Sequence, residues 1–209
     1  MRLGLLGGSF DPPHVGHLLM AQDALDVLSL DRLVIVPAAR QPLKSEDQTP
    51  AAHRLAMVQA GFAGVPGIEV DPVEIARGGL SYMVDTVEEM QRRWPGTLLH
   101  LLIGGDVVPT LPRWKDVDRL LRMVQLVVLS REVADASPGP DVVVHGGVVA
   151  QRLATRRVDV SSTEIRARVR SGRSIRGFVP DAVATYIAST GLYREKSRVT
   201  ESAESRSGA

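Results

Sequence analysis

Apolar residues arrive in short unbroken runs, with amphipathic stretches between them. Residues 2–6 (RLGLL), 32–36 (RLVIV), 97–103 (TLLHLLI) and 124–129 (VQLVVL) are such runs. Strands buried on both faces of a parallel sheet show this continuous pattern rather than alternation. Residues 68–71 add a shorter candidate strand. Elsewhere the apolar spacing changes to three and four. Leu18, Ala21, Leu25 and Leu28 predict a helix ending near Ser29. Leu55, Val58 and Phe62 predict a helix over residues 51–62. Met83, Val87, Met90 and Trp94 predict another over residues 82–94, stopped by Pro95 and Gly96. Residues 117–122 form one or two helical turns. Residues 162–170 predict a helix, and residues 181–190 the last one, between Pro180 and Gly191. Residues 137–140 (SPGP) read as a turn. Residues 37–50 (PAARQPLKSEDQTP) read as a long polar loop, a length usually tied to function or disorder. Strands alternating with helices imply an α/β fold, doubly wound, with a mainly parallel sheet and helices on both faces.

Composition narrows the class. The chain has 209 residues, enough for one domain with a real core, here placed at residues 1–194. Residues 195–209 are polar, charged and without periodicity, and read as a disordered tail. The formal net charge is +1, which offers no argument for a nucleic-acid or membrane partner. There is no cysteine, so disulfides and thiolate chemistry are excluded. The opening MRLGLLGG is too short an apolar run for a signal peptide, and no run approaches a membrane span. The expected location is the cytoplasm. Nothing in the pattern specifies an oligomeric state.

The first candidate site lies between the first strand and the first helix. Residues 7–17 read GGSFDPPHVGH. A glycine-rich loop there is where an open α/β sheet binds ligands and where a helix start offers N–H groups to an anion. His14 and His17 are three apart and can face one ligand. Neither a GxGxxG fingerprint nor a P-loop is present.

Four further stretches hold candidate chemistry, each with a plainer reading. Lys44 could reach phosphates from the long loop, or be a solvated surface lysine. In Ser81-Tyr82-Met83-Val84-Asp85-Thr86, Ser81 reads as a helix cap and Asp85 sits near the positive helix end. Asp106 follows Gly104-Gly105 at the end of a buried strand, where carboxylates often hold ribose hydroxyls. Trp114, shortly after, offers a flat face for stacking or for core packing. In Val160-Ser161-Ser162-Thr163-Glu164-Ile165-Arg166, Ser161 and Glu164 match a capping box. The same helix start can bind phosphate, with Arg166 as a bidentate partner.

These motifs carry a resemblance. His14-Val15-Gly16-His17 matches the HxGH signature of the nucleotidyltransferase superfamily, and the whole GGSFDPPHVGH loop resembles nicotinate-nucleotide adenylyltransferases. SYMVDT resembles the family's SYTxDT, with Met83 for threonine. VSSTEIR resembles ISSTxIR, with Val160 for isoleucine. Leu43 stands where a histidine is common. The closing VPDAVATYIASTGLY also fits, so the likeness runs over residues 1–194 in five ordered motifs.

The resemblance implies a Rossmann-like fold and adenylyl transfer from ATP to nicotinate mononucleotide. The products would be nicotinate adenine dinucleotide and pyrophosphate, a step of NAD biosynthesis. His14, His17, Lys44 and Arg166 would act on the phosphates. ATP would lie against Gly7, Gly8, Ser9, Phe10, Gly16, Gly104, Asp106, Ser161 and Ser162. Ser9, Lys44, Tyr82, Asp85, Thr86 and Trp114 would line the nicotinate-nucleotide pocket. Mg²⁺ would arrive on the phosphates without a dedicated protein cage. Two alternatives stand beside this reading. One is a sister transferase acting on pantetheine phosphate or nicotinamide mononucleotide, the other a nucleotide-binding sensor.

Overall fold

The computed structural model describes residues 1–43, 49–133 and 136–194. Lys44 and the tail expected at residues 195–209 lie outside them. The chain runs β1 (Arg2–Gly8), α1 (Val15–Val27), β2 (Arg32–Pro37), α2 (Ala51–Phe62), β3 (Ile68–Val70), α3 (Val73–Arg77) and α4 (Met83–Arg93). It continues through β4 (Leu98–Gly104), a 3₁₀ helix (Val108–Arg113), α5 (Val117–Met123), β5 (Gln125–Val133) and β6 (Ser137–Val143). A short 3₁₀ turn (His145–Gly147), β7 (Val149–Arg156), α6 (Ser162–Arg170) and α7 (Asp181–Thr190) complete it.

Among the described residues the strands form one seven-stranded sheet in the order β3-β2-β1-β4-β5-β7-β6. All neighbours are parallel except β6 and β7. The chain winds outward from β1 to β3, then returns to β4 on the other side of β1. This reversal places the ends of β1 and β4 side by side, the position where open sheets bind ligands. The fold is the doubly wound, Rossmann-like α/β class expected from the sequence.

The apolar runs divide by parity. Leu3, Leu5, Leu99, Leu101 and Ile103 pack on one face, against α4 and α5. Leu6, Leu33, Ile35 and Leu102 pack on the other, against α1 and α2. A third cluster joins α2, α6 and α7 through Met57, Ile165, Val183 and Ile187. It seats the C-terminal helices beside the β1–α1 loop.

Two expectations need correction. Residues 137–140 are not a turn but the first half of β6. β6 is the outermost strand and tolerates Pro138 and Pro140 because an edge need not donate every N–H. Its register on β7 slips between Gly139 and Val142. The inner strand β7 was not expected at all. β5 also runs to Val133, beyond the predicted end at residue 129.

His100 sits in β4 between Gly4 and Gln125 and is 4% exposed. Its Nδ1 finds no hydrogen-bond partner among the described residues. Burial pushes its pKa below the ordinary histidine value, and Arg2 adds to the effect. The unfolded chain therefore binds a proton more readily than the folded one. The contribution of His100 to stability is full above about pH 6.5 and is lost as pH falls below it. Urea midpoints at about pH 7.5 and about pH 5 are expected to differ less in His100→Gln than in the natural chain. Equal differences would overturn this.

Candidate active site

The β1–α1 loop is held from several sides. Phe10 adopts left-handed backbone (φ 49°), an unfavourable region for a bulky residue. Its ring packs edge-on against His17 at 5.1 Å and Phe62 at 6.4 Å. His14 is the N-cap residue of α1 and is 3% exposed. Its backbone N–H donates to His17 Nδ1 at 3.2 Å, and the two rings lie 3.7 Å apart. That bond requires Nδ1 to be an acceptor, so the neutral His17 ring carries its hydrogen on Nε2. A Cβ on Gly16 would stand 3.0 Å from His14 Nδ1, so a larger residue there would press on the His14 ring.

The start of α6 docks on the same loop. Ser162 Oγ donates to Pro12 O at 2.8 Å, and Arg166 Nη1 to Asp11 O at 2.7 Å. Ser161 accepts the Glu164 N–H at 3.1 Å, half of the expected capping box. Residues 150 and 155 positions apart thus meet at one end of the sheet.

A cavity of about 800 Å³ opens along the ends of β1 and β4. From β1 and the loop after it, Gly7, Gly8, Phe10 and His17 line it. Toward β5 it is lined by Gly104, Gly105, Asp106, Leu129 and Ser130. The Asp106 carboxylate folds back close over Gly104 at this turn. Toward α4 it is lined by Ser81, Tyr82, Met83, Thr110, Arg113, Trp114 and Lys115. Trp114 stands at the boundary of core and cavity. It packs against the core and lines the cavity, its Nε1–H donating to Thr110 Oγ1 at 3.1 Å. A shallower depression of about 540 Å³ lies away from the strand ends, bordered by Glu88, Arg92 and Arg119.

Several predicted residues lie behind this lining. Ser9 contacts Gln41, which lines the cavity, through a 2.9 Å bond. His14, Gly16, Ser161, Ser162 and Arg166 border the loop rather than the cavity. Asp85 pairs with Lys115 Nζ at 2.9 Å, and Lys115 lies 4.8 Å above the Tyr82 ring. Thr86 is fully buried. Its hydroxyl donates to Glu74 at 2.7 Å and accepts from Arg77 at 3.0 Å. Glu74, not Thr86, reaches the cavity wall. Burial raises the Glu74 carboxyl above its usual range, partly offset by the Thr86 hydroxyl.

Ser81 does not cap α4. The N-cap residue is Tyr82, and Ser81 Oγ instead accepts the Ala39 N–H at 2.9 Å. It ties the loop after β2 to the cavity wall. Glu74, Lys115, Gln41 and Ser130 escaped the sequence reading because no motif marks them. Lys115 follows Trp114 directly and was the most accessible of the four from sequence.

Comparison with known proteins agrees with this geometry. The Cytidylyltransferase-like family matches residues 5–168. A relative in Gemmatimonas aurantiaca, named "Probable nicotinate-nucleotide adenylyltransferase", is 73% identical over 95% of this chain and 95% of its own. One of the same name in Opitutus terrae is 40% identical over 93% of this chain and 98% of its own. Among solved structures, Plasmodium falciparum nicotinic acid mononucleotide adenylyltransferase complexed with NaAD superposes with a TM-score of 0.72. It covers 92% of this chain and 97% of that one at 15% identity, a likeness of fold. Residues brought together at one sheet end and close relatives over nearly the full length lead to one assignment: this chain belongs to the nicotinate-nucleotide adenylyltransferase family, within the Cytidylyltransferase-like group.

Proposed function

We propose that the chain transfers the adenylyl group of ATP to nicotinate mononucleotide in the cytoplasm, where ATP is made and used. The observation that carries this reading is the close, tilted His14–His17 pair at the start of α1, beside a cavity large enough for two nucleotides' reacting ends. A phosphate oxygen of the mononucleotide attacks the α-phosphorus of ATP. One P–O bond forms, the bond to the β-phosphate breaks, and pyrophosphate leaves with the electron pair. The attacking oxygen is already ionised near neutral pH, so no general base is required.

Catalysis then rests on placement and on stabilising charge as it develops. His17 Nε2–H donates to an α-phosphate oxygen. The start of α6 and the Arg166 guanidinium hold the departing phosphates. His14 orders His17 through its N–H. Lys44, outside the described residues, is the further cation that the family likeness assigns to the phosphates. Magnesium would arrive on ATP as part of the substrate and would offset charge on its phosphates. Gly104 and Asp106 take the adenosine side, and Tyr82 and Trp114 the nicotinate side. Lys115, held in its ion pair with Asp85, adds a cation to the cavity wall next to Trp114.

The test is pyrophosphate release from MgATP with nicotinate mononucleotide, nicotinamide mononucleotide or phosphopantetheine as acceptor. Strong preference for the nicotinate substrate is expected. Preference for another acceptor would move the assignment to a sister transferase. ATP binding without release would mark a sensor.

A further inference from the structure

A group of buried polar side chains lies just beneath the loop, and none of them enters the transfer described above. Asp11 is 8% exposed. Its Oδ1 accepts the Tyr193 O–H at 2.6 Å, and its Oδ2 accepts the Thr49 N–H at 3.2 Å. Arg54, on α2, is 1% exposed. It donates to three main-chain oxygens: Thr49 O at 2.8 Å, Ser9 O at 3.0 Å and Ala39 O at 2.7 Å. Thr49 is therefore held twice, by its N–H on Asp11 and by its C=O on Arg54. Both ends of the loop after β2 and the loop after β1 converge on one pair of opposite charges.

The third member comes from the far end of the chain. Tyr193 follows α7 and adopts left-handed backbone (φ 65°), a conformation a tyrosine keeps only when its surroundings compensate. The compensation is visible in the Asp11 bond and in packing against the α2–α6–α7 cluster. Burial and the adjacent carboxylate raise the phenol well above its ordinary range, so it remains a donor. The backbone oxygen of Asp11 is the seat of Arg166 Nη1.

We propose that Tyr193 is a positioning residue for adenylyl transfer, acting through Asp11 to fix the seat of Arg166 while Arg54 fixes the two loops around it. This rests on the transfer proposed above. Without the Tyr193 hydroxyl, the Asp11 carboxylate turns toward Arg54. The peptide that carries the Asp11 oxygen turns with it, and Arg166 loses its fixed position. Arg166 acts on charge that appears as pyrophosphate departs, so the loss falls on kcat rather than on KM.

Steady-state kinetics with MgATP and nicotinate mononucleotide test this in the full chain, using Tyr193→Phe, Arg166→Lys and the double variant. Tyr193→Phe is expected to lower kcat about tenfold, with both KM values within about twofold of the natural chain. Its thermal midpoint is expected within a few degrees of the natural one. The double variant is expected to be no slower than Arg166→Lys alone, because both changes remove the same interaction. Multiplying losses would mean that Tyr193 is structural only, and an unchanged kcat would mean that it does nothing for the reaction. Either result overturns the proposal. If Tyr193→Phe does not fold, Asp11→Asn with Arg166→Lys reads the same coupling and is judged the same way. Failure of the natural chain to release pyrophosphate with any acceptor would overturn the transfer itself, and this role with it.

Discussion

His17→Ala is expected to reduce kcat by roughly a hundred- to a thousandfold, with a circular dichroism spectrum like that of the natural chain. The size follows from the donor it removes. His17 lines the cavity, and its Nδ1 is committed to the His14 N–H. The opposite ring nitrogen is therefore presented as a fixed donor, and a fixed donor aimed at developing charge is worth far more than one that must reorient. His17→Gln is expected to recover part of the loss, since an amide can donate but lacks the ring's contact with Phe10 and His14. The fold should survive because α1 keeps Met20, Ala21 and Ala24 in the core. Pyrophosphate release within about threefold of the natural rate would remove His17 from the reaction.

Arg54→Met is expected to lower folding stability by roughly 3 to 5 kcal/mol, read from urea unfolding followed by tryptophan fluorescence. The methionine fills much of the volume but offers no donors. It leaves the oxygens of Ser9, Ala39 and Thr49 without their partner and a buried Asp11 without its countercharge. Orphaned buried carbonyls and an unpaired buried charge are among the few changes that reach this size. Arg54→Lys keeps the charge but not the planar fork that meets three oxygens at once, and is expected to fall between the two. A loss below about 1 kcal/mol in Arg54→Met would show that the two loops hold themselves.

These two residues also mark what could be learned before the structure. His17 belongs to a contiguous motif whose glycines and histidines announce a strand–loop–helix junction. The buried runs of β1, β2, β4 and β5 were legible for the same reason, since each is a local pattern. Arg54 was not. It lies in an ordinary amphipathic helix, and its partners stand at positions 9, 39 and 49. Tyr193 meets Asp11 from 182 residues away. β7 failed for a related reason. Gln151, Arg152 and Thr155 suggest a solvent-facing segment, yet Thr155 is fully buried and donates to Ser130 O at 3.2 Å. Asp23 of α1 accepts the Arg156 N–H at 3.0 Å. A polar residue is assigned to the surface by pattern, and only the fold reveals a partner that lets it lie inside. Thr86 and Ser81 belong here too. Their motif marks them, but their hydroxyls serve Glu74 and the loop after β2.

The two outer strands of the sheet have a consequence for the protein at high concentration. One border, β3, is only three residues long, Ile68–Val70. The other, β6, carries Pro138, Gly139 and Pro140 and is interrupted in its register. A neighbouring molecule seeking to extend the sheet would meet too few consecutive N–H and C=O groups on either side to template a new strand. The chain thus keeps a large, strongly apolar sheet without offering it as a nucleus for edge-to-edge aggregation.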